Sequence, residues 1–425
     1  MYKIFATLVY WLKPGIGIKR WCVLLGSGVA IISVTVAFVS VEYYQFIPIT
    51  SKTDTGVLPV WGRVILLVVV GTGMVLYAVS KISKEIARPF VPSGRSAVSV
   101  TTERRRKNRG PRIVVMGGGT GMSTLLRGLK QHTSNITAIV TVADDGGSSG
   151  RLRRELGVLP PGDLRNCIVA LADDEDLLTQ LFKYRFGNGK GVNGHSFGNL
   201  FITAMTEVTG SFERALAVSG QVLAIGGKVL PATLEDVTLM ADIREYAGGT
   251  AHRVVGESAI PEEIGIIERI QLNPPDVPAH PQALQAILSA ELIVLGPGSL
   301  FTSVIPNLLI RDIVTATQNS RALKVYVSNL ATQRGETDDF SLSMHGQIIN
   351  QYADETFTLV LSNNQYNGDL LPDMEWVKVS TGLNTDWDVL ACDLVDETCP
   401  WRHDSTKLAG ALLKVLREHR SIPVL

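Results

Sequence analysis

The chain has 425 residues, 45% of them hydrophobic, with a mean hydropathy of +0.19 and 40 glycines, a glycine share above the usual ~7%. Its formal net charge of zero conceals an asymmetry: residues 1–111 carry fifteen Lys/Arg against four Asp/Glu, and residues 112–425 are acidic by the same margin. An acidic body of that size is a poor partner for the phosphate backbone of nucleic acid, and the full length leaves room for two or three domains, or for one large α/β domain with additions.

The first element is membrane-like. Trp21 to Val41, "WCVLLGSGVAIISVTVAFVSV", has no charge and matches the ~20 residues of a spanning helix. Val64 to Ser80 is shorter and spans if "VLPVWG" joins it and Arg63 snorkels. Trp11, Tyr43, Tyr44 and Trp61 stand where interfacial aromatic belts form. Lys3, Lys13, Lys19 and Arg20 precede the first span, and Lys81, Lys84 and Arg88 follow the second. The positive-inside rule then puts both termini in the cytoplasm and residues 42–63 outside. We expect a transmembrane hairpin over 1–80, anchored in the plasma membrane. A cleaved signal peptide fits less well, because the apolar run is too long and a second one follows. Residues 81–111 lack apolar periodicity and end in "ERRRKNRGPR". They read as a basic cytoplasmic linker, either solvated or touching anionic lipid headgroups.

From residue 112 the pattern changes. "RIVVMGGGTGMSTLLRGLK" is strand, glycine loop and helix, the opening unit of a Rossmann-like, doubly wound, mostly parallel sheet. The loop Gly117, Gly118, Gly119, Thr120, Gly121 suits close approach to a phosphate at a helix N-terminus, although a tight structural turn would read the same. Met122 stands where the dinucleotide fingerprint needs glycine or alanine. A second strand over 136–142 runs into Asp144 and Asp145, where nucleotide-binding folds present a carboxylate to ribose hydroxyls. Gly146, Gly147, Ser148, Ser149 and Gly150 follow as a second anion-cradling turn, and Arg151, Arg153 and Arg154 open the next helix.

A mostly helical stretch over 162–224 holds "PPGDLRN" and "NGHSFGN". In it Asp163 reads equally as an N-cap and His195 as a structural hydrogen bonder. Residues 227–272 read as a small antiparallel insertion. Three further strands end in polar loops. The first carries Gly296, Gly298 and Ser299, with Ser299 at a capping position. The second carries Asn329, Thr332, Gln333 and Arg334, and the third Asn363 and Asn364. In an open parallel sheet these strand ends are where ligands bind. A helix over about 404–419 closes the chain. The cysteines, Cys22, Cys167, Cys392 and Cys399, show no disulfide spacing, and Cys392-x6-Cys399-x3-His403 matches no common zinc pattern. They suit a reducing compartment.

GGGTG, ADDGGSSGRLR, PPGDLRN, NGHSFGN and GPGSLFTS, in this order, resemble the CofD-like superfamily, and within it the YvcK or gluconeogenesis-factor branch. The resemblance covers about 112–365. It implies a Rossmann-like domain over 112–425 with a helical addition, and a bound nucleotide-sugar of the UDP-N-acetylglucosamine type. It also implies a regulatory role in cell shape and cell-wall precursor supply on gluconeogenic carbon. The ligand residues so implied are Gly117–Gly121, Asp144–Ser149, Asn166, Ser196, Asn199 and Gly296–Ser299. A protein partner in cell-wall synthesis and a homo-oligomer are further expectations. Two departures stand out: soluble members lack the hairpin, and Phe301 stands where many relatives have Tyr. The superfamily's enzymes transfer a phospholactyl group and would hold Mg²⁺ on Asp144 and Asp145. This chain has Arg165 where they have a carboxylate, which favours a regulatory protein over a transferase. NAD remains a third occupant that the loop pattern alone permits.

Overall fold

The computed structural model describes residues 19–43, 60–87, 97–172, 176–189, 191–246, 249–379 and 387–421. Two compact units divide the chain, Met1–Arg105 and Arg106–Leu425.

In the first unit, Lys19–Tyr43 and Val60–Ala87 are helices. Their segments Lys19–Val41 and Trp61–Glu85 are long and apolar enough to cross a membrane. They pair through small residues: a Cβ on Gly28 would lie 2.9 Å from the Gly71 carbonyl oxygen, so only glycine lets the backbones approach this closely. The hydroxyls of Thr35 and Ser40 donate to the Ile31 and Val36 carbonyls one turn back, which satisfies them inside an apolar helix. Trp21 meets Tyr77 edge-on at 5.6 Å, with Arg20 and Lys81 over its ring, so these cations from the two helices lie at the same end of the pair. Trp11 and Tyr44 lie outside the described residues. Among the described residues of the segment expected as a linker, the second helix runs on to Ala87, and Ala97–Asn108 forms another, rich in the helix formers Glu, Arg and Lys.

The second unit is built on seven parallel strands. They are β1 (Ile113–Gly117), β2 (Ile136–Val140), β3 (Lys228–Pro231), β7 (Leu292–Leu295), β8 (Leu323–Val327), β9 (Leu359–Asn363) and β10 (Asp388–Cys392), in the order β10-β9-β8-β7-β1-β2-β3. β1 and β7 are buried along their whole length, as central strands of a sheet covered on both faces must be. Helix Gly119–Leu129 packs on Gly162–Leu171 and Ser405–Ser421; Pro281–Ser289 packs on Arg311–Asn319. The chain winds outward from β1 to β3, returns, and winds the other way from β7 to β10. The reversal falls between β1 and β7.

Two expectations are corrected. Residues 228–231 belong to the main sheet, so the antiparallel insertion is only β4 (Thr238–Arg244), β5 (His252–Val255) and β6 (Ile266–Asn273). The Gly-Ser segment after Asp145 is not a loop before a helix. Helix Gly147–Leu156 begins within it, so Arg151 to Arg154 lie in mid-helix and last turn. A short hairpin, β11 (Val395–Asp396) and β12 (Cys399–His403), precedes the last helix.

Candidate functional site

The loops after β1 and β7 meet at the reversal point, the place where doubly wound sheets open a crevice. Their contact depends on glycine. A Cβ on Gly121 would lie 2.7 Å from the Pro297 carbonyl oxygen, and one on Gly118 would lie 2.7 Å from an Asp163 carboxylate oxygen. Helix Gly119–Leu129 therefore starts directly against the β7 loop, its N-terminal amides turned toward the crevice.

A cleft of about 520 Å³ opens there. Of the residues singled out from sequence, Gly119, Thr120, Gly121, Asn166, Gly298, Ser299, Asn329, Thr332 and Gln333 line it. Gly117, Gly118 and Gly296 lie behind that wall. Ser299 does not cap its helix through its side chain; its hydroxyl instead accepts from Gln333 Nε2 at 2.8 Å, and Asn329 donates to Gln333 Oε1 at 3.2 Å. This chain of amides joins the ends of β7 and β8 along the cleft floor.

The cleft wall holds no Asp or Glu among the described residues, but it holds Arg127, Lys183 and Arg402. Burial first, and then the neighbouring Arg402 charge, lower the pKa of Arg127. Two guanidiniums lining one cleft suit an anion between them. His403 also reaches the wall. Burial pushes it down to about 4, so it is neutral, and its Nε2 has no hydrogen-bond partner among the described residues. Trp401 supplies an aromatic surface beside it.

The remaining sequence candidates lie elsewhere. Asp144 and Asp145 take different backbone partners. Asp144 accepts from the Gly146 amide at 2.9 Å, and Asp145 accepts from the Ser258 amide at 2.9 Å, tying down the insertion. Each thus commits one oxygen to the backbone, and both charges act on the nearby Glu257. No three His, Cys, Asp or Glu side chains are placed to hold a metal among the described residues. Ser148 and Ser149 are buried, with Asn199 Nδ2 donating to Ser148 at 3.1 Å and His195 Nδ1 3.0 Å from the same hydroxyl. Ser196 caps helix Phe197–Thr209 and accepts from Arg165 at 2.6 Å. Gly146 and Gly147 begin the adjoining helix. Arg334 pairs with Asp373 at 3.2 Å over a separate, acidic groove. Phe301 is buried 6.1 Å from Phe340, so its ring is core.

Asp163 is not an N-cap. It sits inside its helix, and its carboxylate accepts from the Gly119 amide at 2.7 Å. Burial, then the Asp144 charge, push it up to about 6. Glu257 is pushed up to about 8 by burial and then by Asp144 and Asp163. These carboxylates form an electrostatically strained layer beneath the cleft.

The sheet order and the cation-lined crevice define a doubly wound α/β protein with an anion-attracting cleft at its switch point. The family profile described as 2-phospho-L-lactate transferase CofD matches residues 113–419. A "Gluconeogenesis factor" of Bacillus subtilis is 40% identical over 321 residues, covering 72% of this chain and 99% of its own. A protein of Clostridium acetobutylicum, 42% identical, is matched over 96% of this chain and 92% of its own. A crystal structure of a Bacillus halodurans protein superposes with a TM-score of 0.67 at 43% identity, covering 72% of this chain and all of that one. The chain belongs to the CofD family, in its gluconeogenesis-factor branch.

Proposed function

We propose that this chain binds a nucleotide-sugar of the UDP-N-acetylglucosamine type in the switch-point cleft. In this reading it is a regulatory protein of gluconeogenic growth and cell-wall precursor supply; the names of its relatives support the gluconeogenic part. The observation that carries the reading is the cleft wall: a helix N-terminus, Arg127, Lys183 and Arg402, and no carboxylate among the described residues. That set suits a diphosphate, and about 520 Å³ is in the range of small-molecule sites. Hydroxyl-bearing sugar and ribose would find Asn166, Asn329 and Gln333.

Met122 is fully buried, where dinucleotide folds need a small residue, which speaks against NAD. Phospholactyl transfer with Mg²⁺ on Asp144 and Asp145 has less support, because no group of three His, Cys, Asp or Glu that could hold a metal stands there among the described residues. Mass spectrometry of small molecules released from the purified α/β unit tests the reading. A uridine diphosphate sugar is expected, and a nicotinamide dinucleotide would refute it.

The two apolar helices further support a membrane anchor, with both termini and the α/β unit in the cytoplasm. A cysteine in place of Thr53 is expected to react with a membrane-impermeant maleimide on intact cells. Reaction only after lysis would reverse the topology.

A further inference from the structure

A second charged surface lies at the opposite end of the sheet from the cleft. Helix Ala97–Asn108 is fastened to the start of the α/β unit. The Ser134 amide donates to the Lys107 carbonyl at 3.1 Å, and the Asn135 amide group donates to the Asn108 and Gly110 carbonyls at 3.0 and 2.7 Å. These contacts hold Arg106, Lys107 and Arg109 beside the loop that leads into β2. Arg112 stands just before β1, and its backbone amide donates to Glu291, just before β7, at 2.7 Å. Arg420, at the end of the last helix, pairs with the same Glu291. Arg417 lies one turn earlier. His132, in the same loop, has its pKa lowered by burial and then by Arg106, Arg417 and Lys107, which places those cations around it.

Elements far apart in sequence thus gather six cations at the N-terminal ends of the strands. Two carboxylates face them, Glu291 and Glu418, the latter 3.9 Å from Lys414. The rest of the unit is acidic, so the surface is a local reversal of sign. Arg106, Arg109, Arg112, Arg417 and Arg420 are exposed.

We propose that this face of the α/β unit docks on an anionic phospholipid surface. The proposal rests on reading the first two helices as membrane spans: the second ends at Ala87, so a short stretch of chain separates it from Arg106. A tether that short keeps the basic face at high effective concentration next to headgroups, and polybasic segments next to spanning helices bind such leaflets. Docked in this way, the face leaves the cleft, at the far end of the strands, open to the cytoplasm.

The relative of known structure is matched over its entire chain by 72% of this one, so that fold stands in the relative on a chain of about that length. A chain starting at Ala97 is therefore the reagent. It is expected to sediment with phosphatidylcholine vesicles containing phosphatidylglycerol, to stay in solution with phosphatidylcholine alone, and to be released by salt. Removing two cations, by Arg106→Gln with Arg417→Gln, should weaken vesicle binding roughly thirtyfold without changing the melting temperature. Arg253→Gln, on the insertion, should leave it unchanged. Equal binding to neutral vesicles, wild-type binding by the double variant, or capture of duplex DNA with no vesicle binding would each overturn the proposal. Because this chain lacks the hairpin, its result is independent of the labelling test at position 53.

Discussion

Gly121→Ala is expected to weaken nucleotide-sugar binding at least tenfold and to destabilise the α/β unit by about 1–3 kcal/mol. The added Cβ would sit 2.7 Å from the oxygen and 2.9 Å from the carbon of the Pro297 carbonyl. Both are backbone atoms, so relief requires the β7 loop to move. That loop carries Gly298 and Ser299, which form the facing wall of the cleft. A shift of a few tenths of an ångström there takes the amides of helix Gly119–Leu129 out of line with a phosphate. Gly210 is the control. It ends helix Phe197–Thr209 at a φ of +67°, and a Cβ added there would meet nothing within 4 Å. Gly210→Ala should cost about 1 kcal/mol of stability through its left-handed backbone and leave affinity intact. Calorimetric titration and thermal melts of both variants separate the two effects. Equal affinities would show that loop contact is not what shapes the cleft.

Asp163→Asn is expected to stabilise the protein at pH 7.5, by about 2 kcal/mol, and to do nothing at pH 4. Asp163 is raised from 3.8 to about 6 in the folded state. A group whose folded pKa is raised contributes stability below its unfolded value and loses it as pH rises through the folded one. Here that window runs from about 4 to 6, and two pKa units set a ceiling near 3 kcal/mol. Asparagine keeps an acceptor for the Gly119 amide and removes the charge that opposes Asp144. Melting temperature should rise by several degrees at pH 7.5. Glu257, raised to about 8, has the same sign, so some decline toward pH 8 should persist in the variant. An Asp163→Asn protein that melts earlier at pH 7.5 would mean the ionised carboxylate is a net stabiliser there. Wild-type stability falling with pH across this window marks carboxylates retained at a cost, as functional sites often do.

The sheet was legible because its signal is local. An apolar run, a glycine turn and a change to helical spacing recur at 113–129 and 292–308, and both proved to be central strands feeding the crevice. Gly119 to Gly121, Gly298 and Ser299 were legible for the same reason. Side-chain partners were not legible. Asp144 and Asp145 are neighbours in sequence, but Asp144 accepts from Gly146 and Asp145 from Ser258. Asp145 joins the sheet to the insertion, which no spacing rule reveals. The cations of the cleft were missed because they come from three separate elements, at 127, 183 and 402, and form no motif. Arg402 depends on the β11–β12 hairpin, whose first strand has only two residues and whose second is half-buried with no alternation. β10, half-buried at the sheet edge, likewise shows no alternation.

The central claim is that the cation-lined crevice between the β1 and β7 loops holds a diphosphate sugar nucleotide. Titration calorimetry of the α/β unit with UDP-N-acetylglucosamine, comparing wild type with Arg127→Ala, tests it most directly. The account predicts saturable binding by the wild type that EDTA does not change. It also predicts a loss of about 1.5–3 kcal/mol in the variant, the usual contribution of a hydrogen bond to a charged group. Binding that survives Arg127→Ala intact but disappears in EDTA would contradict it, and would move the ligand to a metal site that the carboxylates below the cleft would have to form.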